Sequence, residues 1–265
     1  MGKSRKNTET AFYEKVENEE SSGNENEVIS NMDDFIDYVV EKYGFEYNAE
    51  NSDADGNTWF YDEQNNVDIM IDSKFIQYCM NSGLLSWNGE NNNDYSLTEL
   101  FEMYNKIPND MKKDATAFCL DMVLSGDTGM FNPDDGSVHL SPTSLAFPKN
   151  GPDNTLFSMV HEFVYAHDYK NSGQWNISGT EKWHSLVNNN KPISEYAGWV
   201  RINEPYKYYQ ESLAETGAIY ITHKISPEKA VFYNNEGNIV YFDSLDENEL
   251  ELVNEVKSYY TNLFE

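Results

Sequence analysis

The stretch Phe157-Ser158-Met159-Val160-His161-Glu162-Phe163-Val164-Tyr165-Ala166-His167-Asp168 decides how this chain is read. It nearly matches H-E-x-x-H, a helical pattern in which two histidines one turn apart bind zinc and the Glu between them acts as general base toward a water. His161 and Glu162 supply the first two positions, and Tyr165 stands where the second histidine belongs. Residues four apart share a helix face, so His161 and Tyr165 point the same way. His167 is six positions from His161, about 240° around the helix, and faces away; Asp168, seven positions on, returns to the His161 face. Three readings of Tyr165 stand open: a weak phenolate ligand, a packing residue in a disabled site, or a site with solvent in the missing position. A free phenol has a pKa of about 10, so its use as a ligand requires a metal-driven deprotonation that a neutral histidine does not.

Upstream of this helix the patterns alternate between helix and strand. Phe35, Ile36, Tyr38, Val39, Val40 and Tyr43 recur at helical spacing after Asn31 or Asp33 as cap. Thr58 to Tyr61 and Val67 to Ile71 flank a polar turn and predict a hairpin, followed by a helix from about Ser73 to Met80. Residues 1–28, rich in Glu, Asn, Ser and Lys, read as a disordered acidic arm. The Asn-rich run Asn88 to Asp94 reads as a linker, which gives a small α+β N-terminal subdomain over 29–94 and a larger domain over 95–265.

In that larger domain Ser96, with Glu99 three residues on, opens a helix through Tyr104. Thr116 to Val123 reads as a buried strand, Gly129 to Gly136 as a turn-rich crossing, and Ser137 to Leu140 as a second strand. After the His161 helix, which begins near Asn154, helices are expected near Glu181 to Val187, Tyr206 to Thr222, Pro227 to Tyr233 and Asp246 to Leu263. The fold class is therefore α+β: a small sheet and one central helix, then a mainly helical C-terminal part.

A zinc site needs a further ligand from another element, and Glu211-Ser212-Leu213-Ala214-Glu215 offers two carboxylates on one helix face. One reaches the metal while the other orients His161. Ala214 and Ala218 are small enough to let this helix pack closely on another. Tyr196, in the short segment Ile193 to Gly198, is a candidate hydrogen-bond donor to the oxyanion formed when water attacks a carbonyl. His139 either lines the cleft or is simply a half-exposed strand histidine.

The 46 acidic residues against 18 basic give a formal charge of −28, which argues against nucleic-acid or anionic-membrane binding and leaves a basic partner or substrate open. Cys79 and Cys119 form no C-x-x-C pair and read as buried thiols, with neither a metal-thiolate site nor a disulfide framework suggested. The 19 tyrosines line a peptide groove or pack the core. No apolar run approaches the roughly 20 residues of a membrane span, and no signal-peptide core follows the basic N-terminus. Lys6 also disfavours myristoylation at Gly2. The expectation is a soluble chain, cytoplasmic or exported by a signal-independent route.

The set His161-Glu162-Phe163, Asp168, Tyr196 and the Glu211-to-Glu215 helix resembles the anthrax lethal factor and Pro-Pro endopeptidase group of secreted zinc metallopeptidases, which are zincins. The likeness spans roughly residues 105 to 263 and includes Ile107-Pro108 and the Gly129-to-Ser141 stretch, which would form the edge strand beside the substrate cleft. The resemblance implies a Zn2+-dependent endopeptidase acting on a peptide or protein substrate. His161 and Glu211 would be ligands with Tyr165 in the second histidine's place, Glu162 the base, Tyr196 the oxyanion donor and Glu215 the residue behind His161. Val164 stands where that group often has Gly. The alternative is a degenerate zincin, a pseudoprotease that keeps the cleft as a protein-binding or structural module.

Overall fold

The computed structural model describes residues 29–86, 94–121, 128–146, 149, 151–152, 154–170 and 173–264. The expected arm over 1–28 and nearly all of the expected linker lie outside the described residues. The N-terminal part runs α1 (Met32–Tyr43), β1 (Glu46–Tyr47), α2 (Ala49–Asp55), β2 (Thr58–Asp62), β3 (Val67–Ile71) and α3 (Ser73–Asn81). Local chemistry sets these limits. The Asn31 side chain accepts the Asp34 N–H to start α1, and Gly44, at φ 69°, ends it. Asp72 caps α3 in the same way.

The chain continues with α4 (Leu97–Lys106), α5 (Asn109–Lys112), β4 (Ala117–Leu120), β5 (Gly129–Asn132) and β6 (Ser137–Leu140). Ser96 and Glu99 exchange hydrogen bonds of 2.8 and 3.3 Å as a reciprocal cap on α4. Six strands form one mixed sheet in the order β1-β2-β3-β4-β6-β5. β3 and β4 pair in parallel, Asp68 opposite Ala117, so the sheet runs across the boundary expected near residue 94. Parallel neighbours require a crossover, and α3, α4 and α5 supply it. The core is continuous as well: Phe35, Phe60 and Phe101 pack edge to face, and Tyr104, Phe118 and Phe163 carry the cluster on to the next helix. An Asn-rich run in the sequence does not mark where strand pairing stops.

The stretch from Gly129, expected as a crossing, is a hairpin: β5 pairs antiparallel with β6, and only residues 133–136 turn, with Gly136 at φ 77°. β5 is the sheet edge and β6 lies inside, between β4 and β5.

The remaining elements are α6 (Thr155–Tyr169), α7 (Glu181–Asn189), α8 (Glu195–Asn203), α9 (Tyr208–Ile225), β7 (Val231–Tyr233), β8 (Ile239–Tyr241) and α10 (Glu247–Tyr260). The helix expected over Pro227 to Tyr233 is one 3-10 turn followed by β7, which pairs with β8 across a turn closed by Gly237 at φ 76°. Val231-Phe232-Tyr233 is a short β-branched and aromatic run, and a partner strand claims it. Tyr196, whose segment Ile193 to Gly198 reads from sequence as a short loop, lies in the first turn of α8, which Ser194 caps.

The architecture is thus α+β around a small mixed sheet. Among the described residues no helix is long and apolar enough to cross a membrane. α6 lies against β5 and β6 on one side and α9 on the other, with Val160, Phe163, Val164 and Ala166 fully buried. Gly217 of α9 allows that approach, since a Cβ there would stand 2.8 Å from Val164 Cγ2. Ala214 and Ala218, the small residues expected to permit close packing, are buried on the same helix.

Candidate metal centre

His161 projects from α6 toward α9 and is only 7% exposed. Its Nδ1 lies 2.9 Å from Glu215 Oε1 and its Nε2 lies 3.4 Å from Glu211 Oε2. The i,i+4 spacing on α9 therefore sets one carboxylate against each ring nitrogen. The two contacts differ in kind. The first has the length of a charge-assisted hydrogen bond; the second exceeds the usual range of about 2.7–2.9 Å. Glu211 Oε2 is moreover buried without a hydrogen-bond partner. Two ligands about 2.0–2.2 Å from a tetrahedral zinc are separated by about 3.4 Å, so His161 Nε2 and Glu211 Oε2 stand at the edge length of such a site. With Glu215 fixing the ring from behind, this donor pair fits a zinc ion. Burial disfavours the His161 cation, but the two carboxylates outweigh it and hold the imidazole's pKa well above its ordinary value.

Tyr165 is half-buried one turn further along α6, its ring 5.3 Å from that of His161. It stacks nearly parallel on Phe131 of β5 and edge-on against Trp175. Its phenol feels the Glu211 carboxylate. Burial first, then the negative charge of Glu211, pushes the phenol well above its usual pKa, so it keeps its proton in the metal-free protein. Of the three expected donors it is the one least suited to a cation.

Glu162 turns from the same helix toward β5 and is 8% exposed. Its carboxylate accepts the Phe131 backbone N–H, and a Cβ at residue 129 would come within 2.8 Å of its Cγ and 2.9 Å of its Oε1. Gly129 therefore forms the floor on which this side chain rests. Burial pushes the Glu162 carboxyl up to about 7, with the His161 charge opposing and Glu211 adding to the rise. Tyr196 reaches the same region from α8, half exposed, its ring 6.5 Å from His161 and stacked on Trp199.

The structure thus brings His161, Glu162, Tyr165, Glu211, Glu215 and Tyr196 to one place. It does not bring the others. His167 faces away, as its angular offset requires, with Nδ1 2.6 Å from Asp114 Oδ2. Asp168 binds the backbone N–H groups of Ile177 and Ser178 and so anchors the loop after α6 rather than entering the centre. His139 sits on the opposite face of the sheet: it pairs with Met130, while its neighbour Val138 pairs with Phe131, the residue that meets Tyr165. Sequence reasoning missed Gly129 and the Phe131 amide as parts of the site. The only available signal was a glycine opening a short apolar run, which reads equally as a turn.

No family model, no curated protein and no solved structure matches the chain. The chemistry of the centre therefore rests on its own geometry.

Proposed function

We propose that the chain is a zinc-dependent endopeptidase of zincin type, with α6 as active-site helix, the small sheet above it and the helical C-terminal part completing the site. The observation that carries this reading is the convergence of His161 Nε2 and the unpartnered Glu211 Oε2 at 3.4 Å, with Glu215 behind the imidazole. His161 and Glu211 would hold the ion, with Tyr165 adjoining the third position. When bound, zinc supplies Lewis-acid polarisation of a carbonyl and lowers the pKa of water. Glu162 accepts the proton of the attacking water and passes it to the leaving amine. Tyr196 donates to the oxygen that becomes negative. β5, at the sheet edge beside Glu162, suits an extended peptide added as a further strand. The charge of −28 favours a substrate with basic residues near the scissile bond.

A second reading has its own support. Tyr165 is held well above its ordinary pKa by burial and then by the Glu211 charge, and it packs on Phe131, which suits a degenerate zincin whose cleft binds protein without cutting it. Elemental mass spectrometry of natively purified protein, with Tyr165→His alongside, separates the two. About one zinc per unaltered chain, together with peptide-library cleavage abolished by Glu162→Gln, supports the peptidase. Zinc only in Tyr165→His, with no cleavage by the unaltered chain, supports the binding module. Cleavage that survives Glu162→Gln overturns the assignment of the base.

A further inference from the structure

The face of the sheet turned away from α6 carries a second cluster. Cys119 and His139 are directly paired neighbours on β4 and β6, and Asp121, two residues beyond Cys119, continues the same face. One ligand atom from each of the three lies within 4.8 Å of the others. Cys119 and Asp121 are buried, and His139 is half-buried.

The hydrogen bonds behind His139 decide what stands in front of it. Ser137 Oγ lies 2.5 Å from Asp135 Oδ1 and 2.6 Å from His139 Nε2. A carboxylate only accepts, so the single Ser137 hydroxyl proton goes to Asp135, and Ser137 in turn accepts from His139 Nε2–H. That leaves the lone pair of a neutral imidazole on Nδ1, facing Asp121 Oδ2 at 2.6 Å. Two acceptors at that distance repel unless a positive charge lies between them. The occupant is either a proton or a metal ion, and the buried Cys119 sulfur beside the pair supplies a donor that a proton does not need. Burial first, then Asp121, Asp135 and Asp68, raise the pKa of the Cys119 thiol, so an incoming cation has to displace its proton, while the same carboxylates draw a cation to the pocket.

We propose that Cys119, Asp121 and His139 form a second metal site, distinct from the His161 centre, for a borderline-soft divalent cation such as zinc. A sulfur, nitrogen and oxygen donor set selects zinc or cobalt over magnesium or calcium. On binding, the Cys119 S–H bond breaks and a sulfur–metal bond forms, the proton leaving to solvent; the Nδ1 to Oδ2 contact opens and each atom becomes a ligand. Ser137 and Asp135 stay on Nε2, fixing the tautomer and orientation of the ring. This site stands whether or not the His161 centre holds zinc.

The test is a cobalt(II) titration of chelator-stripped full-length protein, read by near-ultraviolet thiolate-to-cobalt charge-transfer absorption, which the His161 centre, lacking a thiol, does not produce. The band is expected in the unaltered chain and in His161→Ala, saturating at one cobalt per chain in the latter. Cys119→Ser abolishes it, Cys79→Ser leaves it intact, and Ser137→Ala weakens affinity by about tenfold or more. Circular dichroism and thermal unfolding confirm that each variant is folded; should Cys119→Ser not fold, His139→Gln is read instead and is expected to weaken the band's affinity likewise. Absence of the band at saturating cobalt, which is the result if a proton alone bridges His139 and Asp121, overturns the proposal, as does a band that follows Cys79.

Discussion

Gly129 and Glu162 fit together so closely that one added carbon separates them: a Cβ at 129 would stand 2.8 Å from Glu162 Cγ, with the Phe131 N–H holding the same carboxylate. The sheet edge and the candidate base are therefore one device, in which an absent side chain on β5 sets where Glu162 lies. Gly129→Ala should cost about 1–3 kcal/mol of stability through overpacking and displace Glu162. In a protein that cleaves peptides, it should lower kcat far more than it raises KM. Wild-type stability and wild-type kcat together would show that the contact is relieved freely and does not position the base.

Glu215 touches His161 Nδ1 and orients the ring that faces Glu211. Glu215→Gln should weaken zinc binding at this centre by about 10- to 100-fold, measured by competition with a chromophoric chelator in a Cys119→Ser background. An unchanged zinc affinity would remove Glu215 from the centre's support.

The α6–α9 contact depends on Gly217 facing Val164. Gly217→Ala alone should destabilise by about 1–3 kcal/mol, and Val164→Ala should recover part of that loss in the double variant. Urea denaturation of the four proteins in the cycle reads the coupling. Strict additivity would mean that the helices move apart rather than collide.

Burial raises the Glu162 carboxyl from 4.5 to about 7. In the metal-free protein Glu162 then binds more proton in the folded than in the unfolded state between those values, so its contribution to stability falls as pH rises through that window and is level on either side. Glu162→Gln removes this dependence. The stability of Glu162→Gln relative to the unaltered chain, measured by denaturation in chelator, should therefore climb from about pH 4.5 to about pH 7. A flat difference would place Glu162 in contact with solvent.

Much of this molecule could be read in its residues because the determinants are local. Asn31, Ser96 with Glu99, Asn154 and Asp246 each cap the helix that follows within three residues. His161, Tyr165, Glu211 and Glu215 could likewise be assigned to shared faces, since helical spacing alone fixes which residues point together. The hairpin β2-β3 was legible because its determinants are local too, whereas local pattern read β5 as part of a crossing, with only the resemblance implying an edge strand there, and β7 as helix: each is a run of three or four residues that becomes a strand only because a partner lies beside it.

The sequence by itself therefore determined the longer helices α1, α3, α4, α6, α9 and α10, the caps of α1 and α4, and the pairing of candidate ligands within each helix. Tertiary structure alone decided which helix face meets which, that β3 and β4 join across the Asn-rich run, that Gly129 cradles Glu162, and that Cys119, Asp121 and His139 meet. The physical reason is range. A helix closes its hydrogen bonds four residues away, whereas parallel strands close theirs, and crossed helices make their packing contacts, across dozens of residues, and their register depends on how the whole core packs.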